Sequence, residues 1–439
     1  MKTLLILALI LVMGSGMAIG QEVRPVQHTF GSLEEIIAYS EETNLDLVID
    51  NIRYIQATKA KKASRIEILN PTTSLSGSFT HFKELPVTLL PAEIFGGEPG
   101  TTVELRAGSP YTTEFSQNLE VQLVNPVGWA DYKLAKINTE LTRSSGQRTR
   151  QVLHENLADS YYAIVNLNKQ RVSTEELLKS ADSVYVITQN KFDEGLVSQQ
   201  DLNNAEVNKL NTEKNLRQIE YLLADSHLTL KTLCTIPEQD EVVIKHTDSS
   251  TPERQYVALN KLDVKIQLLN LDFARQNYKK SRSVLLPSLS FFTGNTYQLN
   301  NTTFQPLSGN WINSNYLGLT LSFRLPNSST FSNMQQAKLD YEIASREMEK
   351  AEHAAQIEQK RLANSYEEAR SEHKLALDIN SLHTDTYEKN LNLYGQGLIS
   401  VDRLLDSYNA MLNAEYAANS AAISLELAHS KIAINNTFN

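Results

Sequence analysis

The sequence contains little cysteine and, beyond its first residues, no long hydrophobic run. Cys234 is the only cysteine among 439 residues, so no disulfide can form within one chain. No stretch of 18 apolar residues follows residue 20, so we expect no membrane-spanning helix there. Acidic residues outnumber basic ones by 51 to 41, and the formal charge of −10 argues against nucleic acid as a partner.

The first twenty residues have the pattern of an export signal. They contain one lysine, an apolar run from Leu4 to Met13, and then small residues up to Gly20. This order is typical of a secretory signal peptide, whereas the apolar run is too short to span a bilayer as an anchor. No cysteine follows the run as a site for a lipid. We therefore assign residues 1–20 to a signal peptide.

Two long runs, about Pro126 to Phe192 and about Pro326 to Tyr394, contain no proline after their first residue. At roughly 66 to 68 residues and ~1.5 Å per residue, each predicts a helix of about 100 Å. Apolar residues follow a seven-residue pattern with gaps in the first run and recur in steps of three and four in the second, a spacing typical of helices packed side by side as in coiled coils. They are Leu153, Leu157, Ile164, Leu167, Leu178, Ala181, Tyr185 and Phe192 in the first run, and Ala337, Tyr341, Ala344, Met348, Ala351 and Ala355 in the second.

Each long run ends at a glycine, and the residues around the two glycines repeat. Phe192–Glu213 and Tyr394–Glu415 align without a gap and share Gly195/Gly397, Leu196/Leu398, Ser198/Ser400, Leu202/Leu404, Leu210/Leu412, Asn211/Asn413 and Glu213/Glu415. Glycine accepts positive φ, so each is predicted to reverse the chain at the tip of a helical hairpin. Shorter helices are expected to follow, to about Leu233 and Ala433.

Two further helices of similar length are predicted, over about Ser32–Ile68 and Pro252–Leu285. Two short helices placed end to end match one long run, so each half of the chain predicts a long helix beside two short ones. We assign a first repeat to 21–235, a linker to 236–251 with Val242–Ile244 as a short strand, and a second repeat to 252–439. The pattern indicates a gene duplication.

Four strands are predicted between the helices, in hairpins at about 71–126 and 287–326. Apolar residues alternate with polar ones along Phe115–Leu123 and Leu317–Leu325, with partners at Pro71–Phe82 and Pro287–Leu299. This alternation is typical of strands in a membrane barrel, although a half-buried sheet of a soluble domain would show it too. The export signal favours the membrane, as do aromatic residues near the strand ends: Phe82, Tyr111, Tyr297, Trp311 and Tyr316. The first hairpin is longer, and its extra length is expected in an outward-facing loop at 81–108.

Four strands are too few to close a membrane barrel, for which about eight is the minimum. An open edge in lipid would leave backbone groups unpaired at several kcal/mol each, so copies of the chain must share one barrel. Two copies give about eight strands and a filled interior, whereas three give about twelve and room for a channel. Three chains would place twelve helices in a ring, and with ~9–10 Å between helix axes the lumen would be ~25 Å wide. The eight helices of two chains would leave a lumen only ~14 Å wide. This geometry favours a trimer.

Together these features resemble the TolC-type outer-membrane efflux proteins over nearly the whole mature chain. The signal peptide, the duplicated layout, the proline-flanked strands and both tips (GLVSQQDL and GLISVDRLLD) carry the resemblance. It implies a mainly α fold with a membrane β-barrel contribution: a homotrimer with a 12-stranded barrel in the outer-membrane lipid, continued by a 12-helix α-barrel in the periplasm of a Gram-negative bacterium.

The resemblance also implies a function, the passive exit duct of a tripartite efflux or type I secretion system. Its partners would be a periplasmic adaptor (a membrane fusion protein) and an inner-membrane transporter of the RND, ABC or MFS class. Adaptor docking is implied at the tips, by Gly195, Leu196, Ser198, Gly397, Leu398 and Ser400. The alternative for the two leucines is that they close the hairpin ends as small cores.

An acidic gate near the tips is implied as well. Asp406 falls on the family's acidic position nine residues after Gly397, but the other position, six after it, holds Arg403. Asp402 lies one residue before Arg403, and in the first repeat Asp201 occupies the position that corresponds to Arg403, six residues after Gly195. For Asp402 and Asp201 a solvated helix face is an equally good interpretation.

The sequence lacks the residue patterns of common enzymes. Its nine histidines are scattered, and HExxH, GxSxG, CxxC and phosphate-loop motifs are absent. We therefore expect no catalysis, no cofactor and no metal. The alternative function is a structural coiled-coil protein of the cell envelope whose strands form a soluble platform.

Overall fold

The computed structural model describes residues 26–246, 261–396 and 398–438, so the predicted signal peptide and Gly397 lie outside the described part. The fold is mainly helical with few strands, as predicted. The chain divides into two compact units. Of the described residues, the first contains 26–44, 153–246, 366–396 and 398–431; the second contains 45–152, 261–365 and 432–438.

Seven α-helices lie in the described part of the chain. They are α1 (Leu33–Thr43), α2 (Leu45–Glu67), α3 (Pro126–Asp193), α4 (Gln199–Cys234), α5 (Lys261–Ser283), α6 (Ser328–Gly395) and α7 (Val401–Thr437). The two long helices, α3 and α6, contain 68 residues each and lie close to the predicted bounds. None of the described helices combines the length and the apolar character needed to cross a bilayer.

An asparagine side chain stabilises the start of each long helix. Before α3, Asn125 Oδ1 accepts the backbone N–H of Gly128 at 2.8 Å. Before α6, Asn327 Oδ1 accepts the N–H of Thr330, also at 2.8 Å. The first N–H groups of a helix have no partner within it, so a side-chain oxygen at this position favours helix initiation.

The predicted helix over Ser32–Ile68 is interrupted at Asn44, and a single helix was wrong. Asn44 has an extended backbone (ψ 123°), and its Nδ2 donates to the carbonyl of Leu233 at 2.8 Å. The hydroxyl of Thr43 donates to the carbonyl of Cys234 at 2.8 Å. Because the last carbonyls of a helix have no partner within it, these bonds complete the end of α4. The interruption therefore comes from a tertiary contact within the first unit.

Eight strands are present in the described residues: β1 (Gln27–Phe30), β2 (Thr72–His81), β3 (Val87–Pro91), β4 (Thr102–Arg106), β5 (Tyr111–Val124), β6 (Glu241–Ile244), β7 (Ser288–Asn301) and β8 (Trp311–Ser322). The four predicted long strands form one antiparallel sheet in the order β2-β5-β7-β8. The predicted strand in the linker is confirmed as β6, which pairs in parallel with β1. The loop predicted at 81–108 contains a further hairpin, β3–β4.

The four-stranded sheet has one apolar and one polar face, as the alternation predicts. Residues opposite each other in the ladder share a face, and odd-numbered residues face odd-numbered partners from β2 to β8. The odd face is apolar and open: Leu75 is 80% exposed and Leu317 76%. The even face carries mainly Ser, Thr, Asn, Gln and Glu. Within one chain β2 and β8 are the sheet edges, each paired on one side only.

Helix packing in the first unit centres on the apolar stripe of α3. Leu157 and Ile164 of α3 and Leu230 of α4 have no exposed surface. The ion pairs Asp182–Lys209 (2.5 Å) and Asp159–Lys431 (2.7 Å) join α3 to α4 and to α7. These pairs are partly exposed and contribute little, so buried apolar area holds the helices together.

The second unit places the first part of α3 beside two shorter helices. The hydroxyl of Thr139 donates to the carbonyl of Ala57 in α2 at 3.3 Å, and Lys280 of α5 pairs with Asp131 at 2.6 Å. On α6, the predicted stripe positions Ala337, Ala344 and Ala355 are buried. Small residues at buried positions allow helix axes to approach closely.

Cys234 is the last residue of α4 and is fully buried. Burial disfavours the thiolate and raises the pKa of the thiol to about 12. The predicted role as a small buried hydrophobe is confirmed.

On the even face of the sheet, an aromatic ring covers a glycine. Tyr316 lies in the middle of β8, not near a strand end as predicted. Its side chain crosses β7 at Gly294, and its hydroxyl donates to Asn118 Oδ1 of β5 at 2.9 Å. A Cβ atom at Gly294 would overlap this ring. Glycine is therefore required here for close approach.

We expect Gly294→Ala to lower the stability of the detergent-solubilised protein by about 1–3 kcal/mol, because the Tyr316 ring must shift. The measurement is the midpoint of thermal unfolding. Gly146→Ala in α3 is the control: its Cβ would meet the Cβ of Asp50 at an ordinary 3.6 Å, so no loss is expected. Equal losses in both variants would contradict this account.

Candidate functional site

The candidate site comprises the two hairpin ends that the repeated motif predicts. The first tip is residues 191–202, between α3 and α4; the second tip is residues 393–404, between α6 and α7. In the first tip the N–H of Leu196 donates to Lys191 O at 2.8 Å and that of Gly195 to Phe192 O at 2.9 Å. This pair of bonds with a left-handed residue is a Schellman turn, and Gly195 supplies the positive φ of 74°.

Ser198 begins α4 with a reciprocal cap. Its Oγ accepts the N–H of Asp201 at 3.2 Å, and Asp201 Oδ2 accepts the N–H of Ser198 at 3.0 Å. Ser198 Oγ also donates to Asp201 Oδ2 at 2.6 Å. These hydrogen bonds favour the carboxylate and hold the pKa of Asp201 below its ordinary value. In this structure Asp201 is a helix cap.

The second tip repeats one hydrogen bond of the turn but not the cap. The N–H of Leu398 donates to Leu393 O at 2.9 Å, the same bond 202 positions later. Ser400 Oγ accepts the N–H of Arg403 at 3.4 Å. Arg403 stands where the first tip has Asp201, so its side chain cannot return the bond as an acceptor.

Each tip presents an exposed leucine. Leu196 is 68% and Leu398 66% exposed, so neither closes a small core within the chain. A single exposed leucine is unremarkable on any surface. Here the same side chain occupies the same place in two equivalent turns, which favours a contact surface.

The structure brings the two tips together through a contact that the sequence did not predict. Lys191 Nζ of the first tip lies 3.4 Å from Asp402 Oδ2 of the second. The Lys191 side chain is 36% exposed and that of Asp402 is 56% exposed, so water screens the pair and it contributes little stability. Nothing in the local pattern marks Lys191, because its role depends on how α3 and α7 pack.

Packing beside the tips fixes the start of α7. Tyr408 of α7 lies 5.3 Å from Tyr387 of α6, measured between ring centroids. Burial, and the nearby carboxylate of Glu176 in α3, raise the pKa of Tyr408. The first turns of α7 therefore lie near both long helices. Asp406 and Arg403 are exposed on this segment.

The described residues offer no group of three histidine, cysteine, aspartate or glutamate side chains arranged to hold a metal ion.

Comparison with known proteins gives one family and several solved structures. The family model for outer membrane efflux proteins matches residues 102–234 and 255–432. The Campylobacter jejuni CmeC outer membrane channel is similar, with a TM-score of 0.74 and 17% identity over 92% of this chain and 85% of that one. VceC from Vibrio cholerae is similar with a TM-score of 0.71 and 15% identity, over 91% of this chain and 95% of that one. The open-state MtrE channel of Neisseria gonorrhoeae is similar with a TM-score of 0.66 and 15% identity, over 92% of this chain and 88% of that one.

A comparison with curated protein sequences finds no match. At these identities the likeness to the solved structures shows the fold.

The cap of the first tip predicts a pH dependence that the second tip lacks. Because its pKa is lowered, Asp201 stabilises the first turn of α4 above pH 3.8, and this contribution is lost as the pH falls through the lower folded-state value. Hydrogen-exchange protection factors at residues 199–203 should therefore fall on acidification. Those at 401–405 are the internal control and should not show this change.

Ser198→Ala should reduce protection at 199–203 at neutral pH by about fivefold, as expected for a lost N-cap. Protection that is unchanged in the variant, or the same acid response at both tips, would refute the reciprocal cap.

Proposed function

The chain belongs to the outer membrane efflux protein family, and from this premise we propose that it is the exit duct of a tripartite efflux or type I secretion system. It is a protein of the Gram-negative outer membrane that extends into the periplasm. In the proposed role it conducts substrates passively from an inner-membrane pump to the exterior, with no catalytic step and no cofactor.

The observation that carries the proposal is the four-stranded sheet, with one open apolar face and two free edges. In lipid the apolar face requires hydrocarbon, and each edge requires a partner strand. Three copies supply twelve strands and close the barrel, with the even face turned to water. A soluble platform, the alternative function, would leave Leu75 and Leu317 in water at 80% and 76% exposure.

We propose that the chain consists of two repeats, 21–235 and 252–439, joined by the linker 236–251. The numbering supports this. The long helices α3 and α6 have equal lengths and begin 202 positions apart, and so do the capping pairs Asn125/Asn327 and Ser198/Ser400. Each repeat supplies one strand hairpin to the sheet and one helical hairpin that ends in a tip.

The tips are the proposed docking surface for a periplasmic adaptor. Leu196 and Leu398 provide the apolar contacts, while Gly195, Ser198 and Ser400 shape the turns that present them. Gly397, outside the described residues, is proposed to do the same in the second tip. The adaptor would couple the duct to an inner-membrane transporter of the RND, ABC or MFS class.

Near the tips we propose a gate formed by Asp406, with Asp402 and Arg403 beside it. Three copies of Asp406 around a common axis would form a carboxylate ring, which favours cations. The weak Lys191–Asp402 pair joins the two hairpins of one chain and would open at low cost. For Asp201, whose carboxylate is engaged by Ser198, we propose the capping role.

Adaptor docking predicts that Leu196→Asp and Leu398→Asp abolish export while trimers still form in the membrane, because a charge replaces an apolar contact. Export of a drug or secreted protein by intact cells is the readout, and protein extracted from membranes gives the oligomeric state. Gln200→Asp is the control, since it adds the same charge at an exposed position of the first tip without removing an apolar side chain. Normal export by both leucine variants would remove the tips from the docking model.

The gate predicts that Asp406→Asn weakens the cation preference of the reconstituted channel, because the proposed ring loses its charge. Reversal potentials in a salt gradient measure this preference. Asp385→Asn is the control, an exposed carboxylate on α6 that pairs with Lys389 at 2.6 Å. If Asp406→Asn leaves selectivity unchanged, the residue lies away from the conducting path.

A further inference from the structure

Two aromatic side chains lie on the mainly polar face of the sheet. Phe292 of β7 and Tyr316 of β8 are both on the even face, with ring centroids 6.1 Å apart. We call these two residues the aromatic patch. Aromatic residues at membrane interfaces belong on the apolar face, where Tyr297 and Trp311 lie. The aromatic patch is on the opposite face.

Glycines on the neighbouring strands hold both rings close to the sheet. Tyr316 crosses Gly294, and Phe292 lies against Gly318, where a Cβ atom would meet the ring within 2.9 Å at Cε1. Aromatic rings that cover glycines stabilise a sheet, and this contributes here. The side of each ring that points away from the sheet remains accessible: Tyr316 is 48% exposed and Phe292 is half-buried.

The charges around the aromatic patch all have one sign. In the ladder Glu120 of β5 is directly opposite Phe292, and Glu114 lies further along the same face. The even face of the four described strands carries no lysine or arginine. A ring face attracts cations through its quadrupole, and a carboxylate beside it adds to that attraction.

We propose that the aromatic patch and Glu120 form a transient binding site on the inner wall of the duct for cationic aromatic molecules in transit. The inference rests on the proposed function, which turns the even face to the water-filled interior. A ring of the cargo stacks on Phe292 or Tyr316, and its positive charge lies near Glu120. Contacts of this kind are weak, as conduction requires, because a molecule must leave the site as readily as it enters.

The test uses the full-length protein reconstituted in a planar bilayer, with ion current as the readout. Benzyltrimethylammonium is the probe, and tetramethylammonium has the same charge without the ring. We expect the probe to reduce the current at lower concentration than tetramethylammonium does. Phe292→Leu and Glu120→Gln should each weaken block by the probe about two- to fivefold, the effect of one exposed cation–π or charge contact.

Tyr297→Leu is the matched control, because it removes an aromatic ring from the same strand but from the opposite face. Benzyltrimethylammonium should block the current through this variant as strongly as it blocks the current through the unmodified protein. Glu120→Gln changes no side-chain volume and so tests the site even if Phe292→Leu fails to assemble.

The outcomes separate the site from the duct. A reconstituted protein that carries no current would refute the proposed duct and this inference with it. Current with equal block by both cations would refute the inference alone. So would block that is unaffected by Glu120→Gln and Phe292→Leu, or weakened as much by Tyr297→Leu, and the aromatic patch would then serve only to stabilise the sheet.

Discussion

The requirement that backbone hydrogen bonds be satisfied in lipid determines most of this structure. A sheet of four strands has two edges, and β2 and β8 leave theirs without a partner inside one chain. Water can solvate such an edge, but hydrocarbon cannot. The apolar odd face commits the sheet to hydrocarbon, so the edges must be paired by other copies. Oligomerisation is then a condition for placing the strands in the membrane at all.

Because only the strands meet this constraint in lipid, the helices do not need the apolar surface of a membrane-spanning helix. They lie outside the lipid, and their stability comes from narrow stripes such as Leu157 and Ile164, while the remaining surface stays polar. A chain with 21% charged residues and a negative mean hydropathy can therefore belong to the outer membrane. The membrane-facing surface is confined to alternate residues of four strands.

Sequence patterns sufficed for the long elements and failed for contacts between distant segments. Pro126 and the glycine at 195 marked the ends of α3. Period-two alternation identified β5 and β8, and β2 and β7 were predicted as their hairpin partners. By contrast, β1 was missed, because it has only four residues and its partner β6 lies more than 200 residues away. The interruption at Asn44 depends on the carbonyl of Leu233, and the role of Lys191 depends on Asp402. The alternation also assigned Tyr316 to the polar face, but only the register places its ring over Gly294.

The equal lengths of α3 and α6 have a consequence for how such chains can change over evolutionary time. Each helix holds 68 residues between its asparagine cap and its tip, and the Lys191–Asp402 contact shows that the two tips lie side by side. A helical turn inserted into only one of the two helical hairpins would move the leucine at its tip out of line with the leucine of the other tip. It would also shift the apolar stripe of that hairpin relative to the neighbouring helices. Insertions in one helical hairpin are therefore expected to be accompanied by insertions of the same length in the other. A segment such as the β3–β4 hairpin, by contrast, can lengthen in one repeat without a matching change in the other.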